Sequence, residues 1–452
     1  MSYRELAERS DAHAQRLRGA GVARGDRCGL LAAQGAGFIE LALGILAAEA
    51  CLAPIPDDHR GAILDDFAAR AKLEHLVTQR EAGFSHARLP ASAALAPEIE
   101  RAYRALDPAY LRFTSGTTSR RKGVLLSHAT IAARLAAANR ALEICPADRV
   151  LWLLPLAHHF VVSILLYLRS GATVLLPKSS LAQPILAFTA RERGSVIYAS
   201  PAHCRRLAAD DSGTALPALR LAISTADGLP REVALQFRER FGTPLVQALG
   251  IIEVGLAVWN RGAAATKPEA LGRPLPDYEV WLRDDDGKPV LKRGDPARAG
   301  ELCIRGPGLL DAYLDPFTPA SEILQPDGFR TGDYAYRDAE GELHLAGRRA
   351  NRISMSGMKF FSEEVEAVLG SAPGVRECRV LAKPHAQLGE VPIAEIVPLE
   401  PSAPPEPAAL ARHCRAQLPG YKVPREFRVV AALERTSSGK LRRGSQRGTR
   451  AT

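Results

Sequence analysis

The sequence predicts an α/β fold: a large N-terminal domain of parallel β-α-β sheets with a small barrel-like subdomain, then a small α+β C-terminal domain. From Arg149 onward, short apolar runs such as VLWLLPL, SVIYAS and PLVQALG alternate with helical patterns, as in β-α-β units. Beyond Gly272 the strands become short and turn-rich, which is typical of a small antiparallel or barrel-like subdomain. The 452 residues also exceed what one hydrophobic core organises.

The N-terminal segment predicts a capped helix from Ser2 to Leu17, because Ser2 and Glu5 have the spacing of a capping box. The following GAGVARG resembles a dinucleotide-binding fingerprint, but it ends a helix rather than a strand, which favours a helix C-cap. The apolar run FIELALGILAAEACLAPIP contains Glu40 and Glu49 and is cut by Pro54. It therefore predicts a buried helix rather than a membrane span.

The C-terminal part predicts a second unit, and we place the domain boundary after Arg349. Residues 1–349 are then the N-terminal domain and 350–452 the C-terminal domain. The predicted elements of the second unit are a helix at Glu363–Leu369, strands at Cys378–Ala382 and Ile393–Leu399, a helix at Ala408–Leu418 and a strand at Phe427–Val430.

Composition narrows the class of partner and the cellular compartment. The formal net charge of +9 permits acidic partners: nucleotides, coenzyme A, an acidic carrier protein or nucleic acid. The cations are scattered as single arginines, which disfavours nucleic acid. The seven cysteines are far apart, without a C-x-x-C pair, which indicates reduced thiols. The N-terminus MSYRELAERSD has no apolar segment of a signal peptide, so we expect a soluble, cytoplasmic protein without a membrane span.

The stretch TSGTTSRRKGV, which starts at Thr114, has two interpretations. Gly116 and Lys122 have the spacing of a Walker A loop, but Arg121 and Gly123 replace the glycine and the hydroxyl residue of that motif. Glycine still lets backbone amides approach an anion, and the hydroxyls and cations can bind phosphate. The alternative is a solvated polar turn between two strands, and these residues alone do not separate the two.

Seven motifs occur in a fixed order along nearly the whole chain: FTSGTTSRRKGV, PLAHH, LGIIE, GRPLPDYEV, GELCIRGPG, RTGDYAYRDAEGELHLAGR and RTSSGKLRR. With this set the chain resembles the adenylate-forming (AMP-binding) superfamily, which includes acyl- and aryl-CoA synthetases, adenylation domains of peptide synthetases and luciferases. No single motif is decisive, whereas their common order and spacing favour the phosphate-binding interpretation of the first one.

The resemblance implies an acid–thiol ligase. ATP and Mg²⁺ would serve to adenylate a fatty or aromatic carboxylic acid, and the acyl group would pass to CoA or to the phosphopantetheine of an acyl carrier protein. The alternative is a non-catalytic or weakly active homologue that binds ATP or acyl-AMP. The resemblance also implies a mobile C-terminal domain that rotates between the two half-reactions.

The resemblance assigns roles to individual residues. The catalytic residues would be Lys440, Glu253 and His158, with Glu253 also the Mg²⁺ ligand. The ATP and AMP contacts would be Thr114, Ser115, Gly116, Thr117, Thr118, Lys122, Leu249, Gly250, Asp333, Arg348 and Lys359. The acyl pocket would be lined by His158, Val162, Ala226, Leu249, Gly250, Ile251 and Val254, and Gly357 would border the thiol tunnel.

The physical tasks of three of these residues are specific. Lys440 would bridge the attacking carboxylate and the α-phosphate, which suits a compact ammonium. Asp333 would accept hydrogen bonds from both ribose hydroxyls, and Glu253 would bind Mg²⁺. By themselves, a lysine in a basic tail, an aspartate in a turn and a lone glutamate are usually solvated charges, and a lone histidine such as His158 is usually structural.

Several positions depart from the family pattern. Ser119 and Arg121 replace a glycine and a proline, Leu249 replaces the aromatic residue that stacks on adenine, and Ile252 replaces a threonine before the glutamate. Ala350 occupies the hinge position, where Asp or Lys is usual. The segment PLAHHFVVSIL lacks the aspartate that binds a substrate ammonium, which disfavours an amino-acid substrate. The chain also starts at a motif that other members reach after an N-terminal extension, so we expect a compact or trimmed form.

Overall fold

The computed structural model describes residues 1–81, 83–90, 95–114, 122–435 and 441. These residues divide into two compact units. The first consists of Met1–Thr114, Lys122–Glu279 and Ile304–Phe329. The second includes Val280–Cys303 and the described residues from Arg330 onward. The predicted boundary after Arg349 lies inside the second unit and stays a prediction.

The secondary structure alternates helices and strands along most of the chain. The α-helices are α1 Tyr3–Gly19, α2 Ala36–Ala47, α3 Ala62–Arg70, α4 Pro97–Ala105, α5 His128–Leu142, α6 Leu156–His159, α7 Leu165–Arg169, α8 Ala182–Arg191, α9 Pro201–Ala208, α10 Arg231–Phe241, α11 Ala320–Ile323, α12 Ser362–Gly370 and α13 Pro407–Gln417. The strands of the first unit are β1 Arg27–Leu31, β2 Cys51–Ile55, β3 His75–Arg80, β4 Gly83–Arg88, β5 Pro108–Phe113, β6 Gly123–Ser127, β7 Arg149–Trp152, β8 Thr173–Leu175, β9 Val196–Ala199, β10 Leu221–Ser224, β11 Leu245–Ile251, β12 Gly255–Trp259, β13 Arg273–Pro274, β16 Ala312–Leu314 and β17 Phe317–Pro319. The remaining strands are β14 Glu279–Arg283, β15 Gly300–Arg305, β18 Phe329–Arg337, β19 Leu343–Arg348, β20 Arg352–Met355, β21 Met358–Phe361, β22 Val375–His385, β23 Gly389–Pro398 and β24 Glu426–Val429.

Two sheets form the framework of the first unit. In the first sheet the described strands run in the order β17-β16-β6-β5-β2-β1-β3-β4. The second has the order β13-β12-β11-β10-β9-β7-β8, in which β8, β7, β9, β10 and β11 are successively parallel. Helices follow the parallel strands, as the alternation after Arg149 predicted, so this part of the fold prediction is confirmed. Helices α8, α9 and α10 bury one face of the second sheet in a core that includes Leu151, Ile197 and Phe237.

The N-terminal predictions are confirmed in one case and corrected in another. Helix α1 begins with the predicted capping box between Ser2 and Glu5. The apolar run that predicted one buried helix contains helix α2 and then strand β2. The helix ends because Glu49, with φ 62°, adopts a left-handed conformation before the chain enters the strand. Pro54 lies within that buried strand, opposite Leu30.

The second unit contains two smaller sheets. The segment after Gly272 forms a four-stranded sheet in the order β14-β15-β18-β19. The last sheet has the order β21-β20-β23-β22, with β24 parallel to β23. Its predicted helices and strands are all present, as α12, β22, β23, α13 and β24. The hairpin β20–β21 was not predicted.

Two sequence predictions, on membrane helices and on cysteines, can be compared with the described residues. Within them, we find no helix with the length and apolar character needed to cross a membrane. The seven cysteines all fall in the described ranges and are free thiols in the structure.

His203 gives the fold a testable pH dependence. The hydroxyl of Ser200, the N-cap of α9, is hydrogen-bonded to His203 Nδ1 at 2.7 Å. Burial, and then the charge of Arg206, lowers the pKa of His203 to about 4. An unfolded histidine has a pKa of about 6.5. Between these pH values the unfolded chain binds more protons, so stability is present above about pH 6.5 and is lost as the pH falls toward 4.

We therefore expect His203→Gln to lose less stability on acidification than the wild type. The difference in the free energy of unfolding between pH 7 and pH 4 should shrink by on the order of 1 kcal/mol. Urea unfolding at both pH values measures it. Parallel pH profiles for the two proteins would contradict this role of His203.

Candidate functional site

The predicted phosphate loop connects the antiparallel strands β5 and β6. Its ends are tied together, because Thr114 N donates to Lys122 O at 2.9 Å and Lys122 N donates to Thr114 Oγ1 at 3.4 Å. The predicted site residues Ser115, Gly116, Thr117 and Thr118 lie outside the described residues, as do Ser119, Arg120 and Arg121. The structure thus places the base of this loop between two strands of the first sheet.

Lys122 lies over an aromatic ring that the sequence analysis did not single out. Its Nζ is 4.4 Å from the ring centroid of Tyr313, close enough for a cation–π interaction. Tyr313 is buried in β16, which pairs antiparallel with β6 so that Tyr313 faces Val124. Tyr313 follows the GELCIRGPG motif by a few residues, but no local pattern marks it as a contact of Lys122.

Glu253 contacts the same tyrosine. It lies in the turn between β11 and β12, and its main-chain oxygen accepts a hydrogen bond from Leu310 N at 2.8 Å. Burial, the negative charge of Glu253 and a hydrogen bond with its carboxylate all raise the pKa of Tyr313 above its ordinary value. Tyr313 therefore connects the predicted phosphate-binding lysine with the predicted magnesium ligand.

Two arginines lie close to Glu253: Arg134 is buried and Arg112 is partly buried. Arg112, on β5, donates from Nη1 to the main-chain oxygen of His158. Arg134, on α5, donates from Nη1 to Ile252 O at 2.7 Å. Burial lowers the pKa of both side chains, and the charge of Glu253 is among the nearby groups that oppose this shift. The sequence analysis named neither arginine, since a single arginine in a strand or helix carries no distinguishing pattern.

His158 is the third residue of the short helix α6, Leu156–His159, which precedes an unusual turn. Helix α6 is followed at once by a π-helical segment, Phe160–Ile164, which contains Val162. Such turns are rare and are found frequently at functional sites. An aromatic layer lies under this segment: the ring of His159 packs edge-on against Trp152 at 5.7 Å, and Trp152 stacks on Tyr198 at 5.1 Å.

The other predicted acyl-site residues lie at the ends of neighbouring strands. Ala226 follows β10 with a φ of 75°, and Leu249, Gly250 and Ile251 belong to β11. The pairing with β12 shifts between Leu249 and Gly250, where an added Cβ would lie 3.0 Å from Gly255 O. A side chain at position 250 would therefore require the main chain at Gly255 to move by a few tenths of an ångström. Val254 is fully buried and offers no exposed surface to a substrate in this structure.

Asp333 and Arg348, both predicted to contact the nucleotide, are direct partners in the second unit. They face each other in the antiparallel pair β18–β19, and Arg348 Nε lies 2.8 Å from Asp333 Oδ1. Asp333 is buried, and its main-chain N–H donates to Thr331 Oγ1 at 3.1 Å. The pairing of β18 with β19 thus brings together two side chains that are 15 positions apart in the sequence.

Lys359 belongs to a set of polar side chains that we call the Asp285 cluster: Asp285, Tyr334, Arg352 and Lys359. Asp285 accepts from Arg352 Nη1 at 2.8 Å, from Tyr334 OH at 2.9 Å and from Lys359 Nζ at 3.1 Å. The hydrogen bond from Arg352 is the main cause that lowers the pKa of Asp285 below its usual range. The cluster joins residues on either side of Ala350.

Gly357 lies in a tight turn between two short strands. Ser356 and Gly357 form the two-residue connection of the β20–β21 hairpin, with φ values of 50° and 82°. Positive φ at both central residues is typical of a type I′ turn, for which glycine is preferred. Ala350 lies in a short 3₁₀ segment, Arg349–Asn351. Lys440 lies outside the described residues.

Comparisons with known proteins show the family to which the chain belongs. Residues 1–314 match the family model of AMP-binding enzymes, and residues 364–440 match the model of the AMP-binding enzyme C-terminal domain. The sulfoacetate–CoA ligase of Cupriavidus necator is 32% identical over 74% of this chain and 66% of its own length. A feruloyl-CoA synthase of an Amycolatopsis species is 28% identical over 99% of this chain and 93% of its own length.

A solved structure supports the fold over almost the whole chain. The ATP-bound MatB of Rhodopseudomonas palustris superposes with a TM-score of 0.84 at 25% identity, covering 98% of this chain and 92% of that one. The predicted resemblance to adenylate-forming enzymes is therefore confirmed. Because the two family models together match most of its length, this chain belongs to the AMP-binding enzyme family.

Proposed function

We propose that this chain is an AMP-forming acid–thiol ligase that adenylates a fatty or aromatic carboxylic acid with ATP and passes the acyl group to a thiol. The observation that carries the proposal is the convergence of Lys122 and Glu253 on Tyr313, at the base of the predicted phosphate loop. One ammonium and one carboxylate thus contact the same tyrosine, Lys122 over its ring and Glu253 at its hydroxyl. Those are the groups that a polyphosphate and its metal ion require.

The reaction needs neutralised charge and positioning more than a protein nucleophile. A carboxylate oxygen attacks the α-phosphorus of ATP, the bond to the bridging oxygen breaks, and pyrophosphate leaves with its electron pair. Because carboxylate and triphosphate repel each other, cations that hold them at reacting distance lower the barrier. Lys122 and the loop from Thr114 would hold the departing phosphates. The thiol of the acceptor would then displace AMP from the acyl-adenylate.

The residues present fit a magnesium ion that is held largely by the nucleotide. Within the described ranges, no group of three or more His, Cys, Asp or Glu is arranged to hold a metal ion. Mg²⁺ in nucleotide sites commonly uses one or two carboxylates, with phosphates and waters completing the shell. Glu253, oriented by the Tyr313 hydroxyl, supplies one hard oxygen ligand of this kind. The bound ion would neutralise phosphate charge.

Asp333 and Arg348 would contact the ribose of the nucleotide. The buried carboxylate of Asp333 has two oxygens for two ribose hydroxyls, and its Oδ1 lies 2.8 Å from Arg348 Nε in this structure. Arg348 would remain close to the ribose or phosphate. Leu249 and Gly250 would border adenine, and Gly357 would let the thiol tunnel pass close to the backbone.

The proposed substrate class rests on the side chains at the predicted acyl site, and the proposed acceptor rests on the relatives and on the net charge of the chain. Val162, Ala226, Leu249, Gly250 and Ile251 are uncharged, which favours a fatty or aromatic acid. CoA suits the relatives that are named CoA ligase or synthase, and an acidic acyl carrier protein would suit the basic chain. The free cysteines suit a cytoplasmic location. The second candidate, a homologue that binds ATP or acyl-AMP without turnover, is favoured by Leu249 and Ile252, which depart from the family pattern.

Exchange of labelled pyrophosphate into ATP, measured with a panel of carboxylic acids, tests the proposal directly. We expect exchange with at least one fatty or aromatic acid. Glu253→Gln keeps the side-chain size but removes the charge, so exchange should fall by about 10²–10³-fold. Glu239→Gln, an exposed position on α10, is the matched control. ATP binding without exchange for any acid would favour the non-catalytic alternative.

Lys440 should separate the two half-reactions. Lys440→Ala removes the ammonium proposed to bridge the carboxylate and the α-phosphate. Adenylation should therefore fall by about 10³-fold or more, whereas a preformed acyl-adenylate should still react with the thiol at nearly the normal rate. Single-turnover assays of each half-reaction measure both rates, and Arg442→Ala controls for loss of a nearby positive charge. Equal losses in both half-reactions would contradict this role.

The Asp285 cluster bears on the proposed rotation of residues 350–452. Asp285 and Tyr334 precede the proposed boundary, and Arg352 and Lys359 follow it, so a rotation about Ala350 must break these ion pairs. Partly exposed pairs of this kind contribute about 1 kcal/mol or less each. The cluster would therefore bias the equilibrium between two domain arrangements without preventing exchange between them.

Asp285→Asn should consequently change the two half-reactions in opposite directions, by about fivefold each. The cause is a shift in the population of the two arrangements rather than a loss of substrate contacts. Separate rates of adenylation and of thioester formation provide the measurement. Asp295→Asn is the control, because Asp295 forms ion pairs with its near neighbours in sequence, Lys292 and Arg298. If both rates change in parallel, the cluster does not set this equilibrium.

A further inference from the structure

Arg134 is a buried side chain that joins two separate segments of the first unit. It projects from α5 and is 3% exposed. Nη1 donates to Ile252 O at 2.7 Å, and Nε donates to Gly308 O. Among the described residues, Nη2 has no hydrogen-bond partner. A guanidinium has a rigid, planar set of donors and can hold two carbonyl oxygens at a fixed separation.

Both acceptor carbonyls lie next to Glu253. Ile252 precedes Glu253 in the β11–β12 turn. Gly308 is two residues before Leu310, whose N–H donates to Glu253 O at 2.8 Å. Arg134 thus binds the turn that carries the carboxylate and also the segment that holds the same turn from the other side. Displacing this side chain would release both restraints on the main chain of Glu253.

The backbone is closely packed around the arginine stem. A Cβ added to Gly308 would lie 2.4 Å from Arg134 Cγ, and one added to Gly255 would lie 3.2 Å from Arg134 Cδ. Both glycines also have positive φ, at 75° and 86°. The main chain of the Glu253 turn and of residues 308–310 is therefore packed directly against the aliphatic part of the Arg134 side chain. This contact leaves the Glu253 turn little freedom to shift.

The charge of this side chain is costly for stability alone. Burial lowers the pKa of Arg134 to about 10, and nearby Tyr278, Glu253 and Asp311 oppose the shift. Burying a cation whose hydrogen bonds go to main-chain carbonyls is less favourable than packing an apolar side chain of similar volume. What the guanidinium provides in return is a fixed geometry next to Glu253.

We propose that Arg134 is a positioning residue that fixes the Glu253 turn so that the carboxylate meets the magnesium ion of bound ATP. This role rests on the proposed function, since it assigns Arg134 to the same site. It acts through the main chain of Ile252 and the Gly308–Leu310 segment, and Arg134 itself needs no contact with the substrate.

The test compares Arg134→Gln and Arg134→Lys with Arg140→Gln, a control on the same helix whose side chain binds Asp277 at the surface. Two properties are measured as functions of the Mg²⁺ concentration. The first is ATP binding, by calorimetry, and the second is pyrophosphate exchange at a saturating concentration of the carboxylic acid. We expect Arg134→Gln to raise the half-saturating Mg²⁺ concentration about 10-fold or more in both titrations. The KM for the carboxylic acid should change by less than about twofold. Arg134→Lys keeps the charge but lacks the planar set of donors, so its half-saturating Mg²⁺ concentration should be intermediate.

A general structural defect would give a different result. It would raise the apparent constants for Mg²⁺, ATP and acid together, and it would lower the melting temperature of both Arg134 variants without any selective effect on Mg²⁺. That outcome, or a Mg²⁺ dependence equal to that of Arg140→Gln, would overturn the proposal. If Arg134→Gln does not fold, Arg134→Lys carries the comparison. The calorimetric titration decides the question even if the wild type shows no exchange, which would instead contradict the proposed function.

Discussion

The return of the chain at residues 310–314 to the edge of the first sheet is the constraint on which the candidate site depends. Leu310 N–H binds the main chain of Glu253, and Asp311 accepts from Ser127 N at 2.6 Å, where α5 begins. Tyr313, in the strand that pairs with β6, then contacts the lysine at the end of the phosphate loop and the carboxylate of Glu253. A few successive residues thereby fix a loop base, a turn and a helix against one another.

Buried positive charge supports the main chain around this point. Arg112 and Arg134 donate to the carbonyls of His158, Ile252 and Gly308, so each cation holds the backbone of a predicted catalytic residue or of its neighbour. Burial lowers the pKa of both arginines, which means that their charge weakens the fold unless it is compensated. The site therefore combines an electrostatic cost with fixed geometry, as expected where a polyanion has to be oriented.

Local sequence signals were sufficient for much of the fold and for part of the site. The capping box at Ser2 and the alternation of apolar runs with helices depend on neighbours in sequence, and the structure confirms both. The roles of Tyr313 and Arg134 depend on strand pairing and packing between segments that are far apart in the sequence, so no periodicity indicates them. The hairpin β20–β21 was not predicted from the sequence. The ordered motifs located Glu253 and Asp333 through family resemblance, whereas their partners became visible only in three dimensions.

Strand β6 pairs with β16, which is far downstream in the sequence, and this separation has a consequence during synthesis of the chain. Strand β6 ends at Ser127, and its neighbour on that side begins at Ala312, roughly 185 residues later. At bacterial or eukaryotic translation speeds, this separation corresponds to roughly 10–40 s on the ribosome. Throughout that interval the nascent sheet presents an unpaired backbone edge to other polypeptides. Chaperone capture or slow elongation in this window would therefore act on a sheet whose edge is still unpaired.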